Sequence, residues 1–208
     1  MRLLPLAVLL ALSACTVSRE VVAPPTAERP NDSWRALATE ADLDRLQHWR
    51  NSWVEALEKA RAAGHGEEIA GEGALLEPDA ALAGAALAPG LYRCRTIKLG
   101  ARTVGDEDFV AYPANRCRVG LRRNRLHFAR IDGPQRPVGA LFADNARRQI
   151  FLGTLQLGDE RLALRYSRDD ERDMAGVVER VGENRWRLVL PYPHFESLLD
   201  VIELIPER

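Results

Sequence analysis

The sequence predicts a mainly β fold of the α+β class. An antiparallel meander closes into a barrel of eight or nine strands, with an amphipathic N-terminal helix docked outside. Three observations carry this. Residues 39–63 repeat apolar side chains at spacings of three and four. From Gly90 onward the period changes to two. Turn-forming residues then recur at short intervals between the period-two runs. A meander of that size removes its exposed edges by closing on itself.

The chain has 208 residues and a formal net charge of −1. Its 46% hydrophobic and 28% charged residues mark it as globular rather than disordered. The near-neutral balance argues against nucleic acid as a partner bound through bulk charge.

Residues 1–14 read as a lipoprotein signal peptide. Arg2 supplies a positive charge, and Leu3 to Leu12 is an apolar run containing Pro5. That run is too short for a transmembrane helix, which needs roughly 20 residues. It ends in Leu12-Ser13-Ala14-Cys15, which resembles the lipobox of bacterial lipoproteins. On this reading Cys15 is lipidated and becomes the N-terminus. Acyl chains then anchor the protein to a membrane, each buried methylene contributing ~0.8 kcal/mol. Residues 15–32 form the lipidated end and a flexible tether containing Pro24, Pro25 and Pro30. The expected location is the periplasmic face of the cell envelope, at the outer membrane.

Residues 33–89 form a helical segment followed by a loop. Thr39 is placed to cap the helix, with acidic Asp42 at the third helical position. Leu43, Leu46, Trp49, Trp53, Ala56, Leu57 and Ala60 share one face. Gly64 suits the C-terminal end. Trp49 and Trp53, one turn apart, read as a packing face rather than a sugar-stacking stripe. Residues 65–89 carry several glycines and read as a loop with at most one helical turn.

Residues 90–208 form the barrel. Candidate strands cover roughly 91–99, 109–121, 125–131, 137–143, 148–155, 160–166, 173–181, 185–190 and 199–205. Trp186, Leu188 and Leu190 alternate with Arg185 and Arg187, and Leu162, Leu164 and Tyr166 with Arg161 and Arg165. In the last run both faces are apolar, so something must cover it from outside the barrel. The helix is the available partner.

Cys94 and Cys117 remain once Cys15 is lipidated. In an oxidising compartment a disulfide is the economical reading, contributing ~3 kcal/mol on the chain-entropy model. Two buried thiols are the alternative. His48, His65, His127 and His194 have no metal-ligand spacing, and no nucleophile elbow, phosphate loop or dinucleotide fingerprint occurs. No cofactor, metal or catalytic set is therefore expected. An enzymatic reading would rest on carboxylates such as Asp173 and Glu179 facing a pocket. Arg116, Arg118, Arg122, Arg123, Arg125 and Arg130 fall within fifteen residues without an acid. They suit phosphate or carboxylate groups of a lipid, a glycan or an acidic protein. The bland alternative is strand arginines paired with neighbouring acids. Asp169 to Asp173 is the opposite cluster, read as a solvated turn in preference to a calcium site.

The order of motifs is also informative. It runs Trp34-Arg35, Leu46-x-x-Trp49-Arg50, Gly90-Leu91-Tyr92-Arg93-Cys94, Tyr112-Pro113 before Arg116-Cys117, Phe151-Leu152-Gly153-Thr154, Arg172-Asp173-x-Ala175-Gly176 and Arg185-Trp186-Arg187-Leu188. This resembles an alphaproteobacterial family, domain of unknown function 4893, over about residues 34–206. The resemblance implies no activity. Gly90, Tyr92, Cys94 and Cys117 also give a looser likeness to lipocalin-like barrels, among them small periplasmic inhibitors of metalloproteases. The leading expectation is a non-enzymatic envelope lipoprotein whose stapled barrel binds a protein or an envelope component. The alternatives are a carrier of a small apolar or amphipathic ligand inside the barrel, and an inhibitor of an envelope hydrolase.

Overall fold

A computed structural model describes residues 33–207. The signal segment 1–14 and the tether 15–32, with Cys15, lie outside the described residues.

Four helices precede the strands: α1 (Trp34–Leu37), α2 (Glu40–Gln47), α3 (Trp49–Ala62) and α4 (Gly66–Glu72). The Thr39 hydroxyl accepts from Asp42 N at 3.2 Å, as the capping pattern predicts. Gly64, at φ +102°, follows the last turn of α3. The helix expected over 39–63 is broken at His48, whose φ and ψ are −102° and 12°. The break lets α2 lie on the β7 side while α3 crosses the first and last strands. A second difference is α4, where a loop was expected. Ile69, Leu75 and Leu76 are buried against Trp53 and Leu57, and that burial outweighs the glycines around them.

Nine strands follow: β1 (Gly90–Ala101), β2 (Phe109–Ala111), β3 (Asn115–Arg122), β4 (Arg125–Arg130), β5 (Gln135–Asn145), β6 (Arg148–Leu157), β7 (Asp173–Gly182), β8 (Arg185–Pro191) and β9 (Ser197–Pro206). Neighbours pair antiparallel, and β1 pairs β9. That pairing closes β1 and β3–β9 into an eight-stranded barrel. One edge of β1 is shared. Gly90–Cys94 pair with β3, and Ile97–Leu99 pair with β2 outside the barrel. The single run expected over 109–121 is interrupted because Pro113 cannot donate to a ladder.

The strand expected over 160–166 does not form. Both edges of β6 are already taken, by β5 and β7, so the segment has no ladder to join. It crosses the outside of the barrel as a strap.

Inside, Tyr92, Phe128, Phe151, Leu188 and Ile202 pack into one cluster. Gly139 and Gly153 face each other across β5 and β6. A Cβ on Gly139 would lie 2.6 Å from Phe151 Cε2, so glycine here makes room for that ring. Cys94 and Cys117 are joined by a disulfide across β1 and β3, with Cα atoms 5.8 Å apart. Ile202 and Leu204 of β9 face the interior, while Leu199 and Val201 pack against Trp53, Ala56 and Leu57 of α3. The helix thus covers the outer face of the last strand. Trp49 and Trp53 meet edge to face at 6.0 Å within this packing.

Candidate functional site

Two concave regions stand out. The first is the mouth of the barrel, a cavity of about 160 Å³. Lys98 and Asp200 are register partners on β1 and β9, and both point inward. Lys98 Nζ lies 3.1 Å from Asp200 Oδ2 and 3.1 Å from Glu196 Oε2. Burial opposes the ammonium charge, but Asp200 and Glu196 outweigh it and hold the Lys98 pKa above its ordinary value. Ser197 Oγ donates to Asp200 Oδ1 at 2.5 Å, and Arg130 Nη1 donates to Thr96 Oγ1 at 3.1 Å. Leu155, Met174 and Ile202 form the apolar wall, and below them the interior is packed. The remaining space is smaller than the 300 Å³ or more typical of a site that encloses a small molecule.

The second region is a groove of about 1020 Å³ on the outer face of β3–β6, overhung by the strap. Arg118, Arg122 and Arg125 line one side. Arg136, Arg161 and Arg165 line the other. Among the described lining residues the only acid is Glu160, and Arg172 bonds to it at 2.5 Å. The floor is apolar, with Val138, Ala140, Phe142 and Leu152. These positions face outward because Ala140 pairs with Leu152 and Val138 with Thr154, in antiphase to the inward Gly139 and Leu141. The Arg125 guanidinium sits 4.3 Å from the centre of the Phe142 ring. His127 is half-buried here. Burial lowers its pKa, and the neighbouring Arg122 and Arg125 lower it further. The Thr154 hydroxyl lines the groove, is buried and has no hydrogen-bond partner.

The arginine cluster is thus divided. Arg118, Arg122 and Arg125 reach the groove, and Arg130 borders both regions. Arg116 instead pairs with Asp132 at 3.0 Å. Arg123 lies exposed in the tight β3–β4 turn, where it and Asn124 both have positive φ. The acids of 169–173 meet other partners. Arg172 bonds back to Asp169, and Arg45 donates to the Asp173 carbonyl at 2.7 Å. Three of the groove's cations escaped the sequence reading. Arg136 comes from β5, six residues beyond Arg130, and Arg161 and Arg165 come from the strap, 31 and 35 residues beyond it.

Asp173 and Glu179 do not act as a pair. Both lie on β7, six residues apart, which separates them by about 20 Å along a strand. Glu179 accepts from the fully buried Arg187 at 2.6 Å beneath α4 and the turn after it. Burial raises the Glu179 pKa despite that partner. Asp173 Oδ1 accepts from Ser167 N at 2.9 Å, and its pKa is raised chiefly by burial, with Asp42 and Asp170 adding.

The described residues thus form a small, closed, disulfide-bonded barrel with a basic groove on its outer face. The chain belongs to the family described as domain of unknown function DUF4893, whose model matches residues 34–204. Neither a curated protein nor a solved structure matches it.

Proposed function

We propose that this protein is a non-enzymatic lipoprotein of the cell envelope, anchored through Cys15, that holds an anionic envelope component in the arginine groove. One observation carries the reading. In a chain of net charge −1, arginines from three separated stretches converge on one groove, and the one acid among its described lining residues, Glu160, is bonded to Arg172. Guanidinium groups around an apolar floor suit phosphate or carboxylate attached to an apolar or sugar body. The mouth has too little room for an apolar cargo, so the groove is favoured over a carrier role.

His127 provides the readout. An anion in the groove offsets Arg122 and Arg125, so the His127 pKa rises. The test titrates residues 33–208, the unit that contains the whole described fold, with two soluble probes. These are monomeric dibutanoyl phosphatidylglycerol and an oligogalacturonate. An NMR pH titration of His127 should show the upward shift with at least one, and the responding probe identifies the headgroup. Arg118→Glu with Arg161→Glu should abolish it. An unmoved His127 with both probes would sink the proposal.

A further inference from the structure

The strap leaves its apolar side chains on the outside. Leu162 is 85% exposed and Leu164 is 41% exposed, and both line the arginine groove. Leu37 of α1, 42% exposed, lines it as well. Exposed leucines grouped on one basic face are not explained by core packing. Nor is the strap loose. Arg136 donates to the carbonyls of Gly158 and Glu160 at one end. At the other, the Tyr166 hydroxyl donates to Asp42 Oδ2 at 2.5 Å and accepts from Thr39 N at 3.0 Å. The leucines are therefore held outward by a pinned backbone, with Arg161 and Arg165 beside them.

Chain direction adds a second argument. The described residues begin at Ser33, and Leu37, four positions later, already lines the groove. The described chain therefore starts on the groove side of the barrel. The seventeen residues from Thr16 to Asp32 reach at most ~60 Å when fully extended. An anchor at Cys15 would hold Ser33, and α1 after it, within that distance of a membrane.

We infer that the groove face lies against the bilayer, with Leu162 and Leu164 entering the interfacial layer and the groove arginines meeting phosphates of anionic lipids. This rests on the proposed function and names the source of its anion. Leucine side chains beside cationic groups are the composition of a surface that rests in the headgroup layer without spanning it. Each arginine near an anionic surface strengthens binding by about fivefold. The leucines supply the part of the binding that a soluble headgroup cannot report.

The experiment sediments residues 33–208 with vesicles of phosphatidylcholine alone, or with one quarter phosphatidylglycerol, beside the titration with monomeric dibutanoyl phosphatidylglycerol. The domain should sediment with the phosphatidylglycerol vesicles, stay in solution with phosphatidylcholine, and dissociate as salt rises. Leu162→Ser with Leu164→Ser should weaken vesicle binding by tenfold or more. It should leave the melting temperature unchanged and lower the affinity for the soluble lipid by far less than it lowers vesicle binding. Arg118→Glu with Arg161→Glu should weaken both kinds of binding. Equal vesicle binding by the leucine variant and the parent would overturn the inference, as would equal binding to the two vesicle types. Binding of the soluble lipid without vesicle binding would overturn this inference and leave the proposed function standing. Binding of neither would remove both.

Discussion

Arg187 shows what one side chain can do when covered from all sides. Its guanidinium is fully buried and spans β8 and the chain that follows α4. It donates to Glu179 Oε2, and to the carbonyls of Ala74, Leu75, Glu77 and Pro78 at 2.7–3.1 Å. Its Cζ also sits 4.3 Å from the centre of the Trp53 ring. Removing one member of a buried ion pair strands the other, so Arg187→Met should lose about 3–5 kcal/mol of stability in urea unfolding. Adding Glu179→Gln should not restore it, because the four carbonyls still lack a donor. Recovery to the parental midpoint would contradict this account. The alternation of 185–190 did place Arg187 on the outer face of β8. It carried no sign that 74–78 would close over that face. Lys98 and Asp200 were legible only as charges inside apolar strands, and their meeting depends on β1 pairing with β9. His127 follows the same local electrostatics. Its pKa is lowered on folding, so below the ordinary histidine range the unfolded chain takes up the proton first. Its contribution therefore favours folding less as pH falls through that window.

At the scale of elements, α1 is held by a single acidic anchor. Trp34 Nε1 donates to Asp144 Oδ1 at 3.0 Å, Arg148 bonds to Asp144 Oδ2 at 2.6 Å, and Arg35 approaches to 3.6 Å. Burial acts to raise the Asp144 pKa, but Arg148, Trp34 and Arg35 outweigh it and the net shift is downward. A carboxylate with a lowered folded pKa stabilises above its unfolded value, and that contribution is lost as pH falls through the folded one. Acidification through the carboxylate range should loosen α1. In a background with Trp49, Trp53 and Trp186 replaced by Phe, Trp34 emission should report it as a red shift. Asp144→Asn should remove the pH dependence of that shift, and an unchanged acid transition would argue against the anchor. The elements themselves were largely readable. Turn residues and period-two runs located most of the strand connections, and the helix face was assigned correctly except for Leu43, which is exposed. The failures have physical causes. The break at His48 is imposed by the surface under the helix, α4 by Leu75 and Leu76 beyond its own end, and the strap by a sheet with no edge left to offer.

The described fold combines a largely packed interior, open at one mouth, with a decorated outside, and neither follows from local pattern. The groove needs β3–β6, α1 and the strap together, so the seven arginines of its described lining could not all be gathered from sequence spacing. The expected anchor belongs to this scale too. Cys15→Ser should move the protein from the membrane fraction to the aqueous phase on detergent partitioning, and retention of the parental distribution would count against lipidation. The pairing of β1 with β9 has a further meaning for how the fold is reached. The two strands begin over one hundred residues apart, so their ladder closes a long loop, and long-range pairing is slow compared with hairpin formation. The hairpins β3–β4, β5–β6 and β7–β8 can form while the chain is still growing. The final seam waits for Ser197–Pro206, the last of the described strands. Until then Ile97, Leu99, Val201 and Leu204 have no covered home. Since α3 docks on both sides of that seam, this helix and the last described strand take their places in one late event.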